Sequence, residues 1–382
     1  MNAQPGAGEP PSHMSAGGPP RFGAGPISTA TNLGPLASLA GTWKGRGFNA
    51  IWRPDNNQPP ENSQIKRFLE LNLTSETFEF QVIPGVVPNR GFGEQPDLGL
   101  YGLHYLQRVT DADAPGFSTA GEALHIEPGL FMNVPASKEP LNPPSIVRLA
   151  TIPHGVSVLM QGVAPSATPV PGPPNIRSVY PIPGLPPFNP KPPALGLGIQ
   201  PVEIPPPAGK GEEHEVKEVD ISQDGKGSQS NGPFPPEFQG FINDPNSVLR
   251  EAIQHQDILG TIAIELTTEN VGGGAENIPF LGIENPAEPD NPLTPNAFVH
   301  SASATFWIEW VRMGSPHPLA QPPRVVAGRE LVPEPEGPSR LIEPFWPEPT
   351  FLQLQYTQTV ILIFNKVLWP HVTVATLTLS AG

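Results

Sequence analysis

The chain has 382 residues, of which 56 are Pro and 39 are Gly, a fraction that ends any all-helical reading and makes much of the length connection. Apolar residues are 37% and charged residues 15%, enough for a buried core of about one domain. The formal charge of −15 argues against nucleic acid or anionic membrane as a partner, and the absence of Cys excludes disulfides and thiolate chemistry.

Residues 1–32 alternate Pro and Gly with small polar residues and read as a disordered arm. The arm has no apolar run of signal-peptide length, and no stretch anywhere reaches about 18 apolar residues. The expectation is a soluble, cytoplasmic protein with residues 33–382 as a single domain. Short β-branched and aromatic segments then alternate with turn clusters: Gly41 to Trp52, Arg67 to Leu73, Thr77 to Ile83, Leu98 to Val109, Ala123 to Val134, Ser145 to Ile152 and Val156 to Val163. That rhythm predicts antiparallel sheet. Between Pro165 and Pro207, 16 of 43 residues are Pro, which no sheet interior accepts. With the charged, Gly- and Ser-rich stretch Gly209 to Gly232, it makes residues 165–240 an insertion, either a surface wrap or a PxxP-type ligand.

One helix is predicted after it, with Asp244 as cap, Pro245 in the first position and an apolar stripe of Val248, Leu249, Ala252 and Ile253. Strands resume over Ile258 to Thr267 and Ala297 to Met313, the latter aligning Phe298, His300, Ala302, Ala304, Phe306, Ile308 and Trp310 on one face. Phe351 to Phe364 and His371 to Leu379 pair at the end of the chain. The fold class expected is all-β: an antiparallel barrel of about ten strands, or a sandwich, with one short helix and long Pro-rich loops.

Hydrolase elbows, phosphate loops, zinc helices and dinucleotide fingerprints are missing from the sequence. Histidines remain. His104 and His300 read as core or rim imidazoles, and His154 as a turn residue. His371 differs: it follows Trp369-Pro370, opens the last strand and shares a face with Thr373, Ala375, Leu377 and Leu379. An imidazole at the mouth of an apolar barrel is an arrangement a haem can use, but spacing alone does not set it apart from a structural residue at the rim.

The ends of the chain are similar to nitrobindins, small haem-binding β-barrels of the calycin group. Leu36, Leu39 and Gly41-Thr42-Trp43-Lys44-Gly45-Arg46-Gly47 resemble the family's opening strand. Leu124-His125-Ile126-Glu127-Pro128-Gly129 resembles its Met-His-x-Glu-x-Gly motif, with Leu in place of Met, and Ala150 to Gly155 its next strand and turn. Pro370-His371-Val372-Thr373-Val374-Ala375-Thr376 looks like its terminal strand. The resemblance covers about half of the chain. It implies a haem b cofactor with His371 as ligand of the ferric iron, and His125 near the pocket as the candidate catalytic residue. Leu124, Thr42, Trp43 and Ile361 are the further candidate cofactor contacts. NO, peroxynitrite or a peroxide would then be the small partner, with homo-oligomerisation open. Arg108, Arg148 and Tyr105 are candidates to assist a bound oxidant that the sequence alone does not place. Two other classes stay open: a haem-free barrel carrying a fatty acid, pigment or other apolar ligand, and a structural assembly protein.

Overall fold

A computed structural model describes residues 31–54, 67–91, 95–112, 121, 123–138, 141–152, 156–179, 239–268, 297–316, 346–364 and 367–380. The strands are β1 (Gly41–Pro54), β2 (Arg67–Val82), β3 (Val87–Asn89), β4 (Leu98–Asp111), β5 (Ala123–Val134), β6 (Ser137–Lys138), β7 (Leu141–Asn142), β8 (Ser145–Ile152), β9 (Val156–Val163), β10 (Val170–Pro171), β11 (Ile258–Thr267), β12 (Ala297–Arg312), β13 (Thr350–Phe364) and β14 (Val367–Ser380). Ten of them run antiparallel in the order β11-β12-β13-β14-β1-β2-β4-β5-β8-β9, and a β9–β11 pairing closes the ring into a barrel. The all-β barrel read from turn spacing is the observed fold.

Strand alternation fills the barrel. Trp43, Phe78, Phe80, Leu103, Phe131, Ile146, Phe306, Ile308, Leu354 and Leu377 point inward and are buried, each in step with residues two positions away on its strand. The rings of Phe78 and Phe80 stack at 4.3 Å and those of Phe131 and Phe306 meet edge-on at 5.5 Å, so side chains occupy this half of the barrel. A 3₁₀ turn, Gly34–Leu39, plugs the same end, burying Leu36 and Leu39 against the core. The indole Nε1 of Trp43 donates to the Leu39 carbonyl at 2.8 Å and ties plug to barrel. Gly34 starts the turn at φ +57°, which a residue without Cβ adopts at no cost.

A second apolar layer lies outside. Phe48, Ala50, Trp307, Ile361, Val372 and Val374 on the outer faces of β1, β12, β13 and β14 pack under Ile242, Leu249 and Ile176. Ile242 and Leu249 come from two short helices, Gln239–Asn243 and Asn246–Ile253, and Ile176 from the start of the Pro-rich insertion. Among the described residues no helix is long and apolar enough to cross a membrane.

Several sequence expectations change. The segments 67–73 and 77–83 are one continuous strand, because Thr74 and Glu76 are inward polar residues satisfied inside the barrel and not a turn. In β12 the register shifts between Val299 and Ser301, so a bulge at His300 interrupts the expected alternation, and Val299 packs with the core. Asp244 does not cap the helix: its carboxylate accepts from the Val179 amide and pairs with Arg250, tying helix to insertion. His104 is neither core nor rim; it is exposed on the outer face of β4. Residues 1–30, the insertion from 180 to 238, and His154, His214 and His317 lie outside the described residues.

Candidate functional site

The half of the barrel away from the plug is lined differently. At that end β1 joins β2, β4 joins β5, β8 joins β9, β11 joins β12 and β13 joins β14. Many inward positions there follow the core aromatics in step but are polar, among them Asn49, Thr74, Glu76, Gln107, His125, Glu127, Arg148, Gln358, His371 and Thr373.

Arg148 is the centre of this cluster. Its guanidinium is fully buried and donates to the Tyr105 hydroxyl at 2.9 Å, to Gln358 Oε1 at 2.6 Å and to Glu127 Oε1 at 2.6 Å. On its other side it lies 5.3–5.6 Å from the ring centres of Tyr105, Phe131 and Phe306. It therefore marks the boundary between aromatic core and polar end. Glu127 also accepts from the Tyr105 hydroxyl, and its Oε2 lies 3.3 Å from His125 Nε2. Burial pushes the Glu127 carboxyl up, but the Arg148 charge and the bonds from His125 and Tyr105 outweigh it and hold the group at about 2. Glu127 is thus a carboxylate that only accepts, and His125 Nε2 is the nitrogen that carries the proton towards it.

Glu76 presents the opposite case. It accepts from Thr74 Oγ1 at 2.9 Å, Gln107 Nε2 at 3.3 Å and the Tyr356 hydroxyl at 2.5 Å. Burial raises its pKa in spite of these bonds, since the three donors are neutral. One end of the barrel therefore holds two buried carboxyls driven in opposite directions.

The glycines of the two motifs make room for this cluster. A Cβ on Gly47 would stand 2.7 Å from both Glu76 Oε1 and Thr74 Oγ1, and one on Gly129 would stand 2.5 Å from the Tyr105 ring. Gly-Arg-Gly in β1 and Pro-Gly in β5 thus serve the buried polar groups opposite them.

The residues singled out in the sequence fall in different places. His371 and His125 both face inward at the polar end, on strands separated along the wall by β1, β2 and β4. His371 is partly buried beside its register partners Ile51 and Val360, with Nε2 3.2 Å from Thr373 Oγ1. Trp43 is inward too, but at the plugged end. Thr42 is on the outer face, Leu124 is the unpaired residue of a bulge in β5, and Ile361 is in the outer layer under the helices. These three are not brought to His371. Arg148 and Tyr105 join the His125 cluster, whereas Arg108 pairs with Glu79 outside. Sequence reading missed Glu76, Gln107, Tyr356 and Gln358; their signal was a polar residue in step with core aromatics, as Glu76 is with Phe78 and Phe80.

Among the described residues no group of three His, Asp or Glu side chains is arranged to hold a bare metal ion. Comparison with protein-family models, curated proteins and solved structures finds no match to the chain. The nitrobindin resemblance therefore rests on its motif residues.

Proposed function

We propose that this barrel binds ferric haem at its polar end through His371, and that NO, peroxynitrite or a peroxide is the molecule handled there. The observation that carries this reading is the convergence of His371 and His125, distant in sequence, on the inward face of the same end. Two features of the residues beside His371 support the reading. A porphyrin brings four of the iron's ligands with it, so one protein imidazole is sufficient, and the aliphatic Ile51 and Val360 beside His371 suit a macrocycle edge. The bound iron would supply an open coordination position for a small oxidant or diatomic ligand.

The chain's own residues supply the rest. Glu127, kept ionised by Arg148, orients the His125 ring through Nε2. Tyr105 and Arg148 act through Glu127. A carrier of a long acyl chain is the poorer fit, because Phe78, Phe80, Phe131 and Phe306 fill the barrel below the polar cluster.

The test is an absorption spectrum from the near ultraviolet through the visible after haem addition, for the wild type and His371→Ala. The expected result is a Soret band that the substitution abolishes while circular dichroism still reports a folded barrel. A band retained in His371→Ala moves the ligand elsewhere; no band in either protein overturns the haem reading.

A further inference from the structure

The start of the Pro-rich insertion forms a strap across the outside of the barrel. One end is fixed beside β10, where the Gly172 amide donates to the Leu259 carbonyl at 3.0 Å and Thr261 Oγ1 donates to the Gly172 carbonyl at 2.9 Å. The other end is fixed at the helices, where Ile176 is buried, Asn246 Nδ2 donates to the Arg177 carbonyl at 2.7 Å and the Val179 amide donates to Asp244. Between these anchors Pro173 and Pro174 restrict the backbone and carry no N–H, so the strap needs no ladder partner there. Between the strap and the outward side chains of β11, β12 and β13 is a cavity of about 550 Å³, a volume typical of small-molecule sites.

Two residues of the cavity wall hold polar atoms with nothing to bond. Asn246 is 2% exposed and Thr357 8%, and Asn246 Oδ1 and Thr357 Oγ1 are both buried without a hydrogen-bond partner. The bond from Nδ2 to the Arg177 carbonyl fixes which way the Asn246 amide faces, so its oxygen cannot be exchanged for a donor. Unmet buried groups are costly and call for a use. We propose that this cavity binds a neutral polyhydroxylated molecule, a mono- or disaccharide. Thr305 and Thr357, directly opposite each other on β12 and β13, and Thr359 give the floor a patch of hydroxyls beside the Trp307 indole. A threonine hydroxyl donates and accepts, as a sugar hydroxyl does, and Asn246 Oδ1 accepts from one. The two charged residues of the wall, Arg177 and Glu265, are opposite in sign and exposed, so the cavity favours no net charge. An extended peptide finds no free strand edge here, because the backbones of β11, β12 and β13 are engaged in their ladders. An apolar chain would leave both buried atoms unanswered.

The experiment titrates the full chain, without added haem, with D-glucose, N-acetyl-D-glucosamine and cellobiose, read by saturation-transfer NMR and calorimetry. Glucuronate and octanol serve as charged and apolar comparisons. At least one of the three sugars should bind, and more tightly than either comparison. Thr357→Val, which keeps the shape and removes the unpartnered hydroxyl, should weaken that binding by about 10-fold, with a urea midpoint equal to the wild type or higher. A merely structural Thr357 would do the reverse, lowering the midpoint and leaving sugar affinity as it was. Thr305→Trp, which fills the cavity from a partly buried position, should abolish binding while circular dichroism still reports the barrel. Failure of all three sugars to bind, preference for glucuronate or octanol, or sugar binding that survives both substitutions overturns the proposal. The cavity lies outside the barrel, so each of these results is separate from the outcome of the haem titration.

Discussion

Arg148 shows how much one inward charge organises. Its three hydrogen bonds join β8 to β4, β5 and β13 across the barrel, and its neutralising partner Glu127 is equally buried. Arg148→Leu should therefore cost about 3–5 kcal/mol, because it strands a buried carboxylate. Adding Glu127→Gln to it should recover part of that loss, a coupling that urea unfolding of the two single variants and the double variant measures. Acid should act through the same group. Glu127 is held at about 2 against 4.5 in the unfolded chain, so the unfolded state takes up more protons between these values. Its contribution, about 3 kcal/mol, is complete above 4.5 and lost as pH falls towards 2.

Glu309 runs the other way. It is buried on the outer face of β12 and bonded by Gln353, and burial lifts it to about 8 despite that bond. Between 4.5 and about 8 the unfolded chain is charged there while the folded one is not, so stability falls as pH rises through that window. Urea midpoints across pH should show both limbs, with Glu127→Gln flattening the acid one and Glu309→Gln the neutral one. A neutral limb unchanged in Glu309→Gln would assign it to another group.

The strands and the plug follow from alternation and turn chemistry, and this is where reading residues in order worked best. β5, β8, β9 and β11 have the limits that their turn signals predict, and β14 begins only a few residues ahead of its predicted start. One failure has a clear cause: a local pattern cannot reveal that an inward polar residue has a partner on another strand. Thr74-Ser75-Glu76 resembles a turn until Tyr356 and Gln107 are brought to Glu76. The 3₁₀ turn Gly34–Leu39 was too short to show periodicity, although Leu36 and Leu39 carried the resemblance. Truncating Leu39 to Ala should remove about 2–5 kcal/mol, since the side chain is fully buried between Trp43 and the core. Thermal unfolding checks it, with the outward Thr42→Ala as a near-neutral control.

Closure of the ring is the weakest join of the molecule. β1 and β14 pair from Thr42↔Ser380 to Ile51↔His371, whereas β9 and β11 meet in a single ladder pair, Thr267↔Gln161. A Cβ on Gly162 would lie 1.9 Å from the Glu265 carbonyl oxygen, so the seam exists only because that residue is glycine. Hydrogen exchange should accordingly be faster in β9 and β11 along the seam than in β1 and β14, and Gly162→Val should widen the difference. Equal protection on both sides of the barrel would contradict this account of the closure.

Strand content, the antiparallel character and the two histidine-bearing motifs were present in residue order alone, because β-propensity, alternation and turn residues act within a few positions of each other. Which polar residues share an interior was not. Tyr356 lies 280 positions from Glu76 and 249 from Gln107, and only the curl of the sheet into a barrel and its register bring them to one end. There, burial strengthens each electrostatic interaction and makes every unmatched hydrogen bond costly.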